Sequence, residues 1–142
     1  MNKKEKVHTT NYLNTFIEVA EDSTATEGKV PQAKGDNKTV AEMQYQLIAA
    51  HPYKYTSDDV LFQVYADRND LTRSEYKAAR EQFFSKGQAC LRASPLTKKA
   101  GFGIHADEEG KIALYAVNSP EYNTFVKDPA VKKVKAMRSA KK

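Results

Sequence analysis

Gly101-Phe102-Gly103-Ile104-His105-Ala106-Asp107-Glu108-Glu109-Gly110-Lys111-Ile112-Ala113-Leu114-Tyr115-Ala116-Val117 reads as a β-hairpin, and this stretch decides the fold class. With Glu108-Glu109-Gly110 as a three-residue loop and Gly110 in the left-handed position, His105 faces Ala113 and Ile104 faces Leu114. That register gathers Phe102, Ile104, Ala106, Ile112, Leu114 and Ala116 on one face, leaving Gly103, His105, Ala113 and Tyr115 on the other. A ribbon with a continuous apolar face must be covered by other elements. The hairpin therefore points to an α+β fold, an antiparallel or mixed sheet of about five strands with helices packed mainly on one face, rather than to a doubly wound parallel sheet.

Working outward, Leu13, Thr15, Ile17 and Val19 alternate with more polar neighbours and predict a first strand. Residues 23–38 are polar, broken by Gly28, Pro31 and Gly35, and read as a long loop. Thr39-Val40-Ala41-Glu42 is a capping box that starts a helix from Val40 to about Ala50, before Pro52. Val60-Leu61-Phe62-Gln63-Val64-Tyr65 is rich in β-formers and reads as a second strand. A further capping box at Thr72-Arg73-Ser74-Glu75 opens a helix with Tyr76, Ala79, Phe83 and Phe84 on one face and Gly87 as its stop. Gln88 to Ala93 reads as a third strand. Beyond the hairpin, Ser119-Pro120 and Asp128-Pro129 are helix-start signals, so two short helices or one broken helix close the chain.

The length of 142 residues suits one domain, residues 1–142, with residues 1–10 as a flexible N-terminus and 129–142 as a basic C-terminal helix or tail. No apolar run approaches the length of a membrane span, and the basic start is followed by polar residues instead of a secretory apolar core. Cys90 is the lone cysteine, which excludes an intramolecular disulfide and fits a reducing cytoplasm. The net charge of +5 is unevenly placed: residues 127–142 hold seven cations against Asp128, and residues 1–126 hold 16 basic and 17 acidic side chains. Electrostatic attraction to nucleic acid is therefore a property of the tail.

Signatures of P-loop, zinc-protease, nucleophile-elbow and dinucleotide sites are absent, and neither a metal nor a cofactor is expected. Hydrogen-bonding groups crowd residues 85–99. Strand alternation there puts Gln88, Cys90, Arg92 and Ser94 on one side, a row suited to an anion, with Arg92 giving forked donors and Lys86 or Lys98 a mobile charge. The expected site draws on Tyr55, Lys86, Arg92, Ser94 and Lys98 as ligand-binding residues, with His105 and Asp58 as acid–base candidates should there be chemistry. Against this, Arg92 pairing with a carboxylate such as Asp58, Cys90 as a small buried hydrophobe and His105 as a packed strand residue are the structural readings of the same side chains. Cys90 as a nucleophile would need Arg92 to lower its pKa and His105 as base. The alternative function is a nucleic-acid- or protein-binding module acting through the tail; a homo-oligomer with no small ligand is the third.

The blocks Asn14 to Ala20, Tyr53 to Phe62, Phe83 to Lys98, Gly103-Ile104-His105, Gly110 to Tyr115 and Lys135 to Ser139 together resemble a family of small bacterial proteins filed as a domain of unknown function, number 6157. The resemblance spans nearly the whole chain, implies a free-standing bacterial protein, and supplies no activity. The family pattern often carries proline where this chain has Ala89 and tryptophan where it has Phe102.

Overall fold

The computed structural model describes residues 9–32 and 39–138. Phe16 and Ile17 point to opposite faces of the first strand, β1 (Thr15–Glu18), and are 0% and 3% exposed. A strand buried on both sides must lie inside a sheet, and β1 does. Next come α1 (Val40–Ala50), capped by the Thr39 hydroxyl accepting from the Glu42 amide, and α2 (Ser57–Arg68). A 3-10 turn (Arg73–Glu75) leads into α3 (Tyr76–Phe83), a second 3-10 turn (Leu91–Ala93) precedes the short α4 (Pro95–Lys98), and the hairpin follows as β2 (Phe102–Ala106) and β3 (Ile112–Ala116). The described chain closes with α5 (Pro120–Lys127) and β4 (Lys132–Lys135).

Among the described residues the sheet has four strands in the order β3-β2-β1-β4, antiparallel except for the parallel β1–β4 pair. The α+β class and the mixed sheet stand, with four strands in place of about five. Hairpin register follows the sequence expectation, with His105 opposite Ala113, Ile104 opposite Leu114, and Gly110 at φ 83°. Tyr53 to Thr56 extends the sheet slightly beyond β3: the Tyr53 amide donates to the Ile112 carbonyl, the Ile112 amide to the Tyr55 carbonyl, and Thr56 bridges Lys111.

One sheet face carries Ile17, Ile104, Ala106, Ile112 and Val134 and is covered by α1, α2 and α4 through Ile48, Val60 and Leu96. The other carries Phe16 and Tyr115 and is covered by α5 through Tyr122 and Phe125. Gly103 belongs to this second face, where a Cβ would come within 2.6 Å of Phe16 Cζ and 2.7 Å of the Tyr122 ring, so glycine is what lets these rings approach the backbone.

Three expected elements are different. The strand expected at 60–65 lies within α2. Thr56 and Asp59 form a capping box, with the Asp59 amide donating to Thr56 Oγ1 at 3.1 Å and the Thr56 amide to Asp59 Oδ2 at 3.0 Å, which starts a helix just ahead of the apolar run. The helix is buried on two sides: Val60 and Leu61 meet the main core, and Phe62 and Ala66 meet Phe83 and Phe84. Two buried stripes imitate the period of a strand. Gln88 to Ala93 is likewise no strand; it runs as irregular chain into the 3-10 turn, where the Ala93 amide donates to the Cys90 carbonyl. The helix or tail expected from residue 129 contains β4 instead: the Asp128 carboxylate and carbonyl accept from the amides of Ala130 and Val131 in a tight turn, and Val131 and Val134 then pack on opposite faces. Residues 139–142 lie outside the described residues, as do 1–8 of the expected flexible N-terminus and 33–38 of the expected long loop.

Candidate functional site

Most of the polar residues singled out from the sequence are engaged in holding the fold. Asp58, in the first turn of α2, is buried and accepts from Thr9 Oγ1, the Thr10 amide and Thr10 Oγ1, each at 2.7 Å, while its own amide donates to Asn11 Oδ1 at 2.8 Å. These bonds pin Asn11 together with Thr9 and Thr10, the described end of the expected flexible N-terminus. Ser94 is the buried N-cap of α4: its hydroxyl accepts from the Leu96 amide and donates to Gln44 Oε1 at 2.6 Å. Arg92 Nε donates to the Lys135 carbonyl at 2.6 Å, and the Met137 amide donates to the Arg92 carbonyl. Arg92 therefore clasps the end of β4 and is not paired with Asp58.

His105 lies on the α5 face, its Nδ1 2.8 Å from the Tyr53 hydroxyl and its ring stacked on Phe125 with centroids 4.2 Å apart. Burial lowers its pKa, and the Asp107 and Asp128 carboxylates offset part of that. Asp58 belongs to α2, which covers the opposite side of the sheet, so the two acid–base candidates are not brought together. Lys86 is exposed after α3, and Lys98 is half-buried at the end of α4. Cys90 Sγ lies 3.7 Å from the Tyr12 hydroxyl, in a hollow of about 380 Å³ that Gln88 and Met137 also line. Burial, with Cys90 beside it, pushes the Tyr12 phenol up, and Arg92 opposes this. His105 bonds Tyr53 and not Cys90, so the base that the sequence suggested for this thiol is placed elsewhere.

Of the expected set, Tyr55 lines a cleft that lies between α2 and α3 and has a volume of about 580 Å³. Leu47, Val60 and Phe62 supply its apolar lining. Around them stand Arg73, Lys77 and Arg80 against the single carboxylate of Asp59, a surplus of two positive charges. Arg80 Nη2 meets Asp59 Oδ1 at 3.0 Å, and its guanidinium lies over the rings of Phe62 and Phe84 at 5.7 and 5.4 Å. Gln63 Nε2 donates to the Tyr76 hydroxyl at 3.2 Å and to Asp67 Oδ1 at 2.9 Å, which leaves the Tyr76 hydrogen free to donate. Among the described residues neither Arg73 nor Lys77 has an ion-pair partner.

The sequence reading missed these three cations. Their signal was present in Arg73-Ser74-Glu75-Tyr76-Lys77-Ala78-Ala79-Arg80, where positions i, i+4 and i+7 share one helical stripe. Among the described residues no group of three or more His, Cys, Asp or Glu is placed to hold a metal, and no helix is long and apolar enough to cross a membrane.

The model of a family described as "Family of unknown function (DUF6157)" matches residues 7–142, nearly the whole chain. No curated protein and no solved structure matches it.

Proposed function

Since the chain belongs to the DUF6157 family, whose description carries no activity, we propose from its own residues that it binds a small organic anion with an apolar body in the cleft between α2 and α3. One observation carries this reading: a cleft of about 580 Å³ that joins an apolar lining to an excess of two cations. Its volume falls within the roughly 300–1,000 Å³ of small-molecule sites, which are mostly apolar with a few convergent polar groups. Arg73 and Lys77 hold the acidic head. Leu47, Val60 and Phe62 take the body, and the Tyr55 and Tyr76 hydroxyls orient it. Arg80 is already turned and neutralised by Asp59, so it forms a fixed wall. Binding fits better than catalysis, because the one carboxylate in the lining is engaged by Arg80 and by the Thr56 amide.

Thermal unfolding against phosphomonoesters, mono- and dicarboxylates and nucleotides tests this, since a ligand at about 100 times its dissociation constant adds about 2.7 kcal/mol of stability. The expected result is stabilisation by one anionic class, lost when Arg73 and Lys77 are both replaced by alanine and retained in Arg92→Ala. Stabilisation that survives the double substitution removes the cleft as the site, and silence across the whole panel counts against an anionic ligand.

A further inference from the structure

Tyr53 occupies backbone that its side chain disfavours. Its φ is +61°, in the left-handed region, where a bulky aromatic residue is an outlier and persists only when its surroundings hold it. Three bonds hold it: its amide donates to the Ile112 carbonyl at 2.8 Å, and its hydroxyl lies 2.8 Å from both His105 Nδ1 and the Tyr115 hydroxyl. The result is a continuous chain of hydrogen-bonding atoms, Tyr115–Tyr53–His105, beside the Phe125 ring that stacks on His105. Residues 53–55 bond the outer edge of β3, so a short extended segment, not a helix, positions the central hydroxyl.

The direction of the chain follows from donor and acceptor strength. A phenol O–H is a better donor than a neutral imidazole N–H, and imidazole nitrogen is a better acceptor than phenol oxygen. With His105 neutral, Tyr53 therefore donates to Nδ1, Tyr115 donates to Tyr53, and the ring hydrogen sits on Nε2. A proton taken up from water must then bind Nδ1. The Tyr53 hydroxyl turns to accept from it and donates in turn to Tyr115, whose own hydrogen swings out to solvent. One proton is gained, one N–H bond forms, and no heavy atom has to move. We propose that Tyr115, Tyr53 and His105 form a polarity switch, in which protonation of His105 reverses both hydrogen bonds and converts the hydroxyl of the half-buried Tyr115 from an inward donor to an outward one.

The charged and titratable groups around His105 permit this. Asp107, from the β2–β3 turn, and Asp128, after α5, both favour the imidazolium. Each carboxylate is occupied by backbone amides, Asp107 by those of Glu109 and Lys111 and Asp128 by that of Ala130. Lys133, on β4, sends its ammonium to the Asp128 carbonyl. Burial acts against the charged ring and keeps it neutral near pH 7.

Nitrogen-15 NMR of the His105 ring tests the switch in the unmodified protein. Above its titration the hydrogen should reside on Nε2; residence on Nδ1 overturns the proposal, because protonation at Nε2 would then leave the chain unchanged. Tyr115→Phe supplies the second arm. It does not touch His105 and keeps the ring beside Phe125, but it removes the acceptor that the reversed chain needs, so the charged form leaves the Tyr53 hydroxyl unsatisfied. The His105 midpoint should fall by about half a unit or more. A midpoint that stays or rises shows that no reversal reaches Tyr115.

Discussion

Arg92, Ser94 and Asp58 share a feature that residue chemistry alone conceals: each bonds a partner far away in the chain. Arg92 reaches across 43 positions to Lys135, Ser94 across 50 to Gln44, and Asp58 across 48 to Thr10. That a polar group in a folded chain will be bonded is legible in the sequence; which group satisfies it is not, so a crowd of such residues reads the same whether it holds the fold or a ligand. Arg92→Ala should cost about 1 kcal/mol in a denaturant melt and leave anion binding unchanged. Ser94→Ala removes a helix cap and strands a buried amide oxygen, and should cost about 2–3 kcal/mol by the same measurement. His105 adds a dependence on pH. Burial holds its folded pKa below the ordinary histidine value of about 6.5, so as pH falls below about 6.5 the unfolded chain takes up the proton first. The stability this contributes is present above 6.5 and is lost as pH falls through the folded value. Melting temperature should therefore drop between pH 7 and 5, and in His105→Gln the slope should shrink.

Elements differ in how far their causes lie from themselves. The β2–β3 hairpin was legible to its register because loop, left-handed glycine and alternation lie within 17 residues. The start of α1 was legible for the same reason, with Thr39 and Glu42 three positions apart. By contrast α2 was misread although its capping box was equally local, because burial against both the main core and α3 overwrote the 3.6-residue stripe with a strand-like alternation. At α2 the cap should outweigh the β-propensity of Val60 and Val64. Thr56→Ala then removes the acceptor for the Asp59 amide and should cost about 1 kcal/mol. It should also loosen Asp59, which orients Arg80 at the cleft. Proton exchange at the first turn of α2 should accelerate more than exchange in α1; equal acceleration in both would mean that the cap stabilises the whole molecule instead of this helix.

Across the whole molecule, the basic C-terminal stretch shows most clearly what sequence distance hides. Read alone, Lys132-Lys133-Val134-Lys135 has the composition of a solvated tail, and nothing near it signals a strand. Its partner is β1, where Thr15 pairs with Lys132 and Glu18 with Lys135, more than a hundred residues away. A parallel pair needs such a crossover and leaves no local turn to announce it. The lysines suit an edge strand, since cations on an outer edge discourage pairing with a second chain. Three further ties secure it: Arg92 on the Lys135 carbonyl, Lys133 on the Asp128 carbonyl, and Lys135 Nζ at 3.9 Å from Glu18. Val131 and Ala136, on either side of β4, are 7% and 4% exposed and close the two cores at this edge. Removing residues 129–142 should therefore strip a strand from the sheet, open the edge of β1 to water beside Phe16 and Ile17, and lower the melting temperature by well over about 10 °C, since the loss exceeds any single-side-chain effect. Circular dichroism melts of the shortened and full chains decide it. A shortened chain that melts like the full one would show that β4 is not needed to hold the sheet, and would return this stretch to the role of a solvated basic arm.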